Sequence, residues 1–221
     1  MPIDIKKLNT KNFPIQSTLL KDDYVIVCGD FGGVWDNSKS DLWWLEWLKS
    51  KSFTTLFVDG NHENFDLLNS LPVEEWCGGK IRRINSSVFH LMRGQVYEIE
   101  GHKLFTFGGA TSTDKEYRKE GLSWWHQEVP SEEEYQEAIR NLDAHNWKVD
   151  YVFTHTCAKS IVEKYIQIKG IKRQSNDPTE DFLELIKNKL SYTHWFFGHW
   201  HEDINIDSQH SMVYMGILKA L

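Results

Sequence analysis

A short apolar run passes directly into a polar loop in the stretch Thr55-Leu56-Phe57-Val58-Asp59-Gly60-Asn61-His62-Glu63. β-branched and aromatic residues followed by a glycine are typical of a buried strand that ends in a sharp turn. The loop offers an amide, an imidazole and carboxylates within a few residues. The stretch therefore predicts a strand whose carboxyl end carries chemically useful side chains.

Three further apolar runs end in side chains of the same kinds. They are 24–28, followed by Gly29 and Asp30; 151–154, followed by His155; and 195–197, followed by Gly198, His199, Trp200 and His201. In open α/β sheets, the loops at the carboxyl ends of strands converge on one site. We therefore expect Asp30, Asn61, His155, His199 and His201 to surround one point. The glycines beside them allow the backbone to turn sharply and approach closely.

Strands and helices alternate at both ends of the chain, around a strand-rich middle. The apolar runs predict strands over 24–28, 55–58, 87–91, 95–99, 104–107, 151–154, 195–197 and 212–215. This order predicts an α/β fold with a mixed sheet and one domain over residues 1–221. Glu100-Gly101 predicts a tight hairpin turn, and 111–130 predicts a long irregular loop.

Three helices have recognisable starts. One is predicted over 41–50, with Asp41 or Ser40 as its cap, and another begins at Ser131 with a capping box. A third begins at Asp177, with a proline in its first turn. Its buried stripe is predicted to contain Phe182, Leu183, Leu185, Ile186 and Leu190.

Composition restricts the partners and the compartment. The 221 residues include 25 basic and 32 acidic side chains, a formal net charge of −7, which argues against binding long duplex nucleic acid. No apolar run approaches the length of a membrane span, and the first residues lack a signal peptide. The three cysteines do not form a disulfide framework, so we expect a reducing, cytoplasmic setting.

The clustered residue types predict a metal site. Carboxylate, amide and imidazole ligands suit Mn, Fe, Zn or Co, and the absence of a Cys-x-x-Cys pair argues against a structural zinc site. His199 and His201 are two residues apart, so on an extended segment they would point to the same side. They would then be able to contact two adjacent ions.

The same pieces, in the same order, resemble the calcineurin-like metallophosphoesterases. The resemblance rests on Gly29-Asp30, Gly60-Asn61-His62-Glu63, the lone His155 and Gly198-His199-Trp200-His201, and it runs from about Tyr24 to the C-terminus. It implies a four-layer α-β-β-α sandwich of two mixed sheets, with two metals at the sheet ends. Carried over by position, Asp30 would bridge the metals. Asn61, His155 and His199 would complete one metal site, and His201 would belong to the other.

The resemblance also implies an activity. Members hydrolyse phosphomonoesters or phosphodiesters by in-line attack of a metal-bridging hydroxide, and His62 would be the catalytic histidine that contacts the phosphate and assists the leaving group. The net charge makes a small soluble phosphoester the expected substrate. Nothing in the sequence indicates an oligomeric state.

One family motif has no counterpart here. Family members open with a strand ending in Asp-x-His, which supplies two ligands to the first metal, whereas no histidine precedes His62. A truncated reading frame and a genuine loss, which would remove the first strand of the sheet, both account for this. For the chain as written we expect one well-held metal and reduced or absent turnover. The alternative function is a non-catalytic scaffold or binding module on the same fold.

Substrate contacts are expected from the irregular loop. Arg118 is suited to pair with a phosphate, and Trp124 and Trp125 are suited to wall a cleft and stack on a base or sugar. The competing interpretation is a loop that simply packs over the sheet.

Overall fold

Eleven strands form two mixed sheets in this computed structural model, which describes residues 7–173 and 176–220. The first sheet has the order β1 (Tyr24–Cys28), β2 (Thr54–Val58), β5 (Val88–Leu91), β4 (Gly79–Asn85) and β3 (Val73–Trp76). The second has the order β10 (Ile204–Asn205), β11 (His210–Met212), β9 (His194–Phe197), β8 (Tyr151–Thr154), β7 (His102–Phe107) and β6 (Gln95–Ile99). Parallel pairing joins β1, β2 and β5, and it also joins β7, β8, β9 and β11.

Five α-helices cover the outer faces of the two sheets in the described residues. They are α1 (Lys39–Lys49), α2 (Phe65–Ser70), α3 (Glu132–Ala144), α4 (Lys159–Lys169) and α5 (Pro178–Lys189). None of these described helices has the length and apolar composition that a membrane crossing requires.

Three apolar clusters separate the layers. Strand β2 illustrates this arrangement, because Leu56 and Val58 pack between the sheets whereas Phe57 packs outward with α1 and α2. On the second sheet, Phe105 and Phe107 pack outward with α3, α4 and α5. A strand buried on both faces reads as a continuous apolar run, which explains why β2 was predictable. The α/β sandwich of two mixed sheets with helices outside is confirmed.

Several predicted local features are confirmed. Ser131 and Glu134 form the predicted capping box at the start of α3. Asp177 caps α5, and Pro178 is its first residue. Glu100 and Gly101 have φ angles of 51° and 80° in a two-residue hairpin between β6 and β7, as a tight turn of this kind requires.

Two predictions about the helices are wrong. Helix α1 is capped by Ser38, not by Asp41 or Ser40, because the carboxylate of Asp41 instead accepts the backbone N–H groups of Trp35 and Asp36. Leu185 of α5 is 69% exposed and does not belong to the buried stripe.

The predicted strand over 212–215 ends at Met212 instead. Beyond it, the carboxylate of Asp203 accepts the N–H groups of residues 214, 215 and 216, so these groups are not available to a strand ladder.

The sequence did not predict α2, α4, β3, β4 or β10. Strands β3 and β4 are rich in charged residues, and in these two strands only Gly79 and Ile81 are buried.

A buried ion pair fixes the loop that follows β2. The guanidinium of Arg93 donates to Asp59 Oδ2 at 2.8 Å and 2.6 Å, and His90 Nε2 lies 3.0 Å from Asp59 Oδ1. The side chains of Arg93 and Asp59 are 4% and 1% exposed. Burial alone would raise the pKa of Asp59, but the Arg93 charge and the His90 hydrogen bond hold it well below its usual range. Arg93 also donates to Glu134 and to the carbonyl of Gln127, so it ties three segments together.

The Arg93→Met variant should lose about 3–5 kcal/mol of unfolding free energy, because it leaves the Asp59 carboxylate buried without its cation. Arg83→Met is the matched control, since Arg83 pairs with Glu74 at 2.8 Å with both side chains partly exposed, at 34% and 40%. The control should lose about 1 kcal/mol or less. Urea denaturation measures both, and equal losses in the two variants would contradict this role for Arg93.

Candidate metal centre

Four side chains from four strand ends converge at the carboxyl edges of the two sheets. We call Asp30, Asn61, His155 and His199 the strand-end cluster; they follow β1, β2, β8 and β9. Asn61 Oδ1 lies 2.9 Å from His155 Nε2 and 3.1 Å from His199 Nδ1. His155 Nε2 lies 3.2 Å from His199 Nδ1 and 3.4 Å from Asp30 Oδ1. The convergence predicted from the strand ends is therefore present for these four residues. It is wrong for His201, because His199 and His201 have φ angles of 69° and 53°, so the segment is not extended, and the His201 ring stacks on Tyr214.

The backbone of the site is strained at the residues that carry these groups. Asp30, His199 and His201 have φ angles of 52°, 69° and 53°, which non-glycine residues rarely adopt. Such strain costs about 1–3 kcal/mol a residue and concentrates at functional sites. Gly60 is required for a different reason, because a Cβ there would lie 2.1 Å from Asp30 Oδ1.

Glu63 holds two of the loops together, a role that the sequence analysis did not assign. Its buried carboxylate accepts the N–H groups of Phe31 at 2.7 Å and Gly32 at 3.0 Å. His62 N–H completes the link by donating to Asp30 Oδ1 at 3.0 Å. Burial raises the pKa of Glu63 to about 8 despite these hydrogen bonds. Glu63 belongs to the Gly60–Glu63 motif that the sequence singled out. Its role could not be predicted because its hydrogen-bond partners lie about thirty residues away in sequence.

The hydrogen-bond directions around the cluster point lone pairs inward. His155 Nδ1 faces the Cys28 carbonyl at 2.9 Å, so in the neutral ring Nδ1 donates to that carbonyl and Nε2 presents a lone pair to the cluster. Asn61 Nδ2 donates to Ser112 Oγ at 2.9 Å, so Oδ1 faces the two imidazoles. With the Asp30 carboxylate, which also accepts the backbone N–H of His62, three groups that carry lone pairs meet beside His199 Nδ1. A cation suits this donor set.

The spacing of the donors is also compatible with a cation. Ligands about 2.1 Å from a metal lie roughly 3.0 Å apart across an octahedral edge and 3.4 Å apart across a tetrahedral one. As placed, the residues that the structure describes contain no group of three or more His, Cys, Asp or Glu side chains arranged to hold a metal ion. The cluster side chains contact one another at distances of 2.9–3.4 Å, which match the separation of ligands around one ion. The residues therefore fit a divalent metal by donor type and by spacing.

The pKa shifts favour the metal-binding protonation states. Burial opposes ionisation of Asp30, but the neighbouring imidazoles of His155 and His62 outweigh it and lower its pKa. Burial, reinforced by His155, lowers the pKa of His199 to about 3. Burial also lowers the pKa of His62. At neutral pH, Asp30 is therefore a carboxylate, and both His199 and His62 are neutral.

The structure places His62 and Arg118 beside the cluster, and His201 at its margin. The half-buried His62 is close enough to Asp114 and Arg118 for their charges to act on its pKa. Arg118 donates through Nε and Nη2 to Asp114, at 2.8 Å and 2.7 Å, and through Nη1 to Ser123 O. The exposed ring of His201 stacks on Tyr214 at 5.0 Å, away from the mutual contacts of the cluster.

The two tryptophans have different surroundings. Trp125 is 3% exposed, packs edge-on against Trp35 at 5.5 Å and donates to Asp66 at 2.7 Å. These contacts indicate that Trp125 packs within the fold, which was the alternative to lining a substrate cleft. Trp124 is half-buried, and its buried indole Nε1 has no hydrogen-bond partner.

In the metal-free protein, His199 should make the unfolding free energy depend on pH. Its folded pKa of about 3 lies below the unfolded value of about 6.5, so between these values the unfolded chain takes up a proton that the folded chain does not. The unfolding free energy therefore falls as pH drops. Between pH 7 and pH 5, His199→Gln should reduce this fall by about 1–2 kcal/mol, the lower figure allowing for the ring's partial exposure.

Urea denaturation with a chelator present measures this difference. The matched control is His102→Gln at the β6–β7 hairpin, remote from the cluster, which should follow the parent. Parallel pH profiles for the parent and His199→Gln would contradict the assignment.

Comparison with known proteins identifies the family. No curated protein matches the chain in a sequence comparison. The calcineurin-like phosphoesterase family model matches residues 5–203, a span that includes every residue of the strand-end cluster as well as His62 and His201. The chain therefore belongs to the calcineurin-like phosphoesterase family.

Proposed function

We propose that this chain is a metal-dependent hydrolase of small soluble phosphomonoesters or phosphodiesters. The observation that carries the proposal is the strand-end cluster of a phosphoesterase family member, where His155 Nε2 lies 2.9 Å from Asn61 Oδ1 and 3.4 Å from the Asp30 carboxylate. Such a set of acceptors is unfavourable without a cation and suited to one.

The metal would be held by the strand-end cluster of Asp30, Asn61, His155 and His199. By ligand type, it would be Mn, Fe, Zn or Co. A bound divalent metal supplies Lewis-acid stabilisation of phosphoryl oxygens and lowers the pKa of water. The chain contributes the geometry: Gly60 lets the loops approach, Glu63 joins them, and the His155–Cys28 hydrogen bond sets the imidazole tautomer.

His62 and Arg118 are proposed to contact the substrate. His62 is neutral at pH 7 in the free protein and offers one ring N–H, and an anionic phosphate beside it would favour its protonated form, which assists a leaving group. Arg118 is oriented by Asp114 and Ser123, while the remaining N–H groups of its five are suited to a phosphate oxygen.

A second candidate is a metal-binding scaffold without turnover. One observation favours it: the residues brought together make a single centre, while His201, the proposed ligand of a second metal, stacks on Tyr214. With one metal the attacking and leaving oxygens would not be stabilised together, so turnover would be reduced or absent.

The proposed setting is the cytoplasm. Cys28, Cys77 and Cys157 are free, and Cys77 is exposed, which suits a reducing compartment. The net charge of −7 disfavours long duplex nucleic acid as a substrate.

Mn²⁺ should stabilise the parent chain. At about 100 times the dissociation constant, a ligand adds about 2.7 kcal/mol, or roughly 5–10 °C in Tm for a domain of this size. The His155→Ala variant should lose this shift, whereas the matched His102→Ala variant should keep it. Thermal denaturation with and without Mn²⁺ measures the effect, and an equal shift in His155→Ala and the parent would refute the ligand assignment.

Hydrolysis of p-nitrophenyl phosphate and bis(p-nitrophenyl) phosphate with Mn²⁺ should separate the two functions. For the hydrolase, His62→Ala should lower kcat by about 10²–10⁴-fold while the Mn²⁺ stabilisation remains. His126→Ala, an exposed histidine paired with Glu120, is the control and should keep full activity. Mn²⁺ binding without turnover of either ester would favour the scaffold, and the ratio of the two rates distinguishes monoesterase from diesterase.

A further inference from the structure

A buried chain of three side chains leads from the irregular loop to the strand-end cluster. Asn61 Nδ2 donates to Ser112 Oγ at 2.9 Å, Ser112 Oγ donates to Glu128 Oε2, and Ser112 N–H donates to Glu128 Oε1 at 2.8 Å. Asn61, Ser112 and Glu128 are 5%, 3% and 1% exposed. We call this chain the Glu128–Ser112 relay.

The relay has a definite direction. An ionised carboxylate only accepts hydrogen bonds, so Glu128 obliges the Ser112 hydroxyl to donate its single proton to it. The Ser112 oxygen then presents only lone pairs to Asn61, and only the NH₂ end of the amide is able to satisfy them. The carbonyl end, Oδ1, must therefore face His155 and His199.

Without the relay, the amide would have two similar orientations. An amide turned by 180° would place its NH₂ group against His155 Nε2, which accepts readily because its Nδ1 donates to Cys28. That orientation would present two N–H groups to a cation instead of a lone pair. The neighbours of Asn61 within the cluster do not themselves exclude it.

The relay is built into a fixed part of the fold. Ala110 N–H donates to the Glu128 carbonyl at 3.1 Å, and Arg93 Nη2 lies 3.4 Å from the same oxygen. The buried ion pair of Arg93 and Asp59 thus holds the Glu128 backbone beside the loop that carries Asn61.

We propose that Ser112 and Glu128 are positioning residues that fix the amide of Asn61 with Oδ1 toward the metal, an inference that rests on the proposed function. Neither residue is a metal ligand. They act through the direction of two hydrogen bonds.

Mn²⁺ affinity is the first test, measured by calorimetric titration of the full chain with Mn²⁺ alone. Loss of a group that orients a ligand typically costs 10–100-fold in metal affinity, and we expect a loss of this size in Ser112→Ala and a smaller one in Glu128→Gln. Ser211→Ala is the matched control, because Ser211 is 3% exposed and its hydroxyl also contacts an asparagine, Asn205, at 2.7 Å. It should retain the parent affinity.

A double-mutant cycle separates positioning from simple structural support. A carboxylate has no wrong orientation, so in an Asn61→Asp background the Ser112→Ala change should cost less than about threefold in Mn²⁺ affinity. A purely structural role for Ser112 would give the same loss in both backgrounds, and that result would overturn the relay.

Hydrogen exchange of the Asn61 side-chain amide gives a readout without metal. Its NMR signals are identified by their loss in Asn61→Asp, and their exchange should be at least tenfold faster in Ser112→Ala than in the parent or Ser211→Ala. Unchanged exchange would overturn the relay.

The two proposals fail in different ways. A parent chain that binds no Mn²⁺ would overturn the metal centre. A parent and a Ser112→Ala variant that bind Mn²⁺ equally tightly would overturn only the relay.

Discussion

The hydrogen bond from His155 Nδ1 to the carbonyl of Cys28 joins the carboxyl edges of the two sheets. Cys28 ends β1 of the first sheet, and His155 follows β8 of the second. A neutral imidazole has a single ring N–H, and in that form this bond fixes both the position and the tautomer of His155. The other members of the cluster are arranged around the Nε2 lone pair that results. A buried polar contact between layers thereby determines the chemistry of the site.

A network of buried hydrogen bonds extends outward from this bond. In each of its groups, the neighbouring side chains determine which atom donates and which accepts. Glu63 joins the loops after β1 and β2, Arg93 and Asp59 anchor the start of the second loop, and Ser112 orients Asn61. Removing one partner from such a network leaves another buried group unsatisfied, which costs more than the hydrogen bond contributed. The positive φ angles of Asp30 and His199 are sustained by the same contacts.

The sequence predicted the strand ends because each is a local pattern: an apolar run closely followed by a metal-binding side chain, with a glycine before that side chain at three of the four ends. Asp30, Asn61, His155 and His199 meet because parallel strands bring their carboxyl ends to one edge. Ser112 and Glu128 were not predicted, since their partners lie 51 and 16 residues away and neither sits in a motif. Asp41 misled the helix prediction because its carboxylate is used by the preceding turn. Local patterns predict elements, whereas roles that arise between distant segments require the structure.

The metal-free cluster is a costly arrangement for a fold to maintain. His155 Nε2 lies 2.9 Å from Asn61 Oδ1 and 3.4 Å from Asp30 Oδ1, and the lowered pKa of His199 disfavours a second proton on its ring that would relieve the repulsion. The surrounding fold therefore has to hold these groups in place at a cost in stability, as sites prepared for a charged ligand generally do. The hydrogen-bond directions concentrate lone pairs at the cluster, and this arrangement favours the proposed multivalent cation over a neutral ligand.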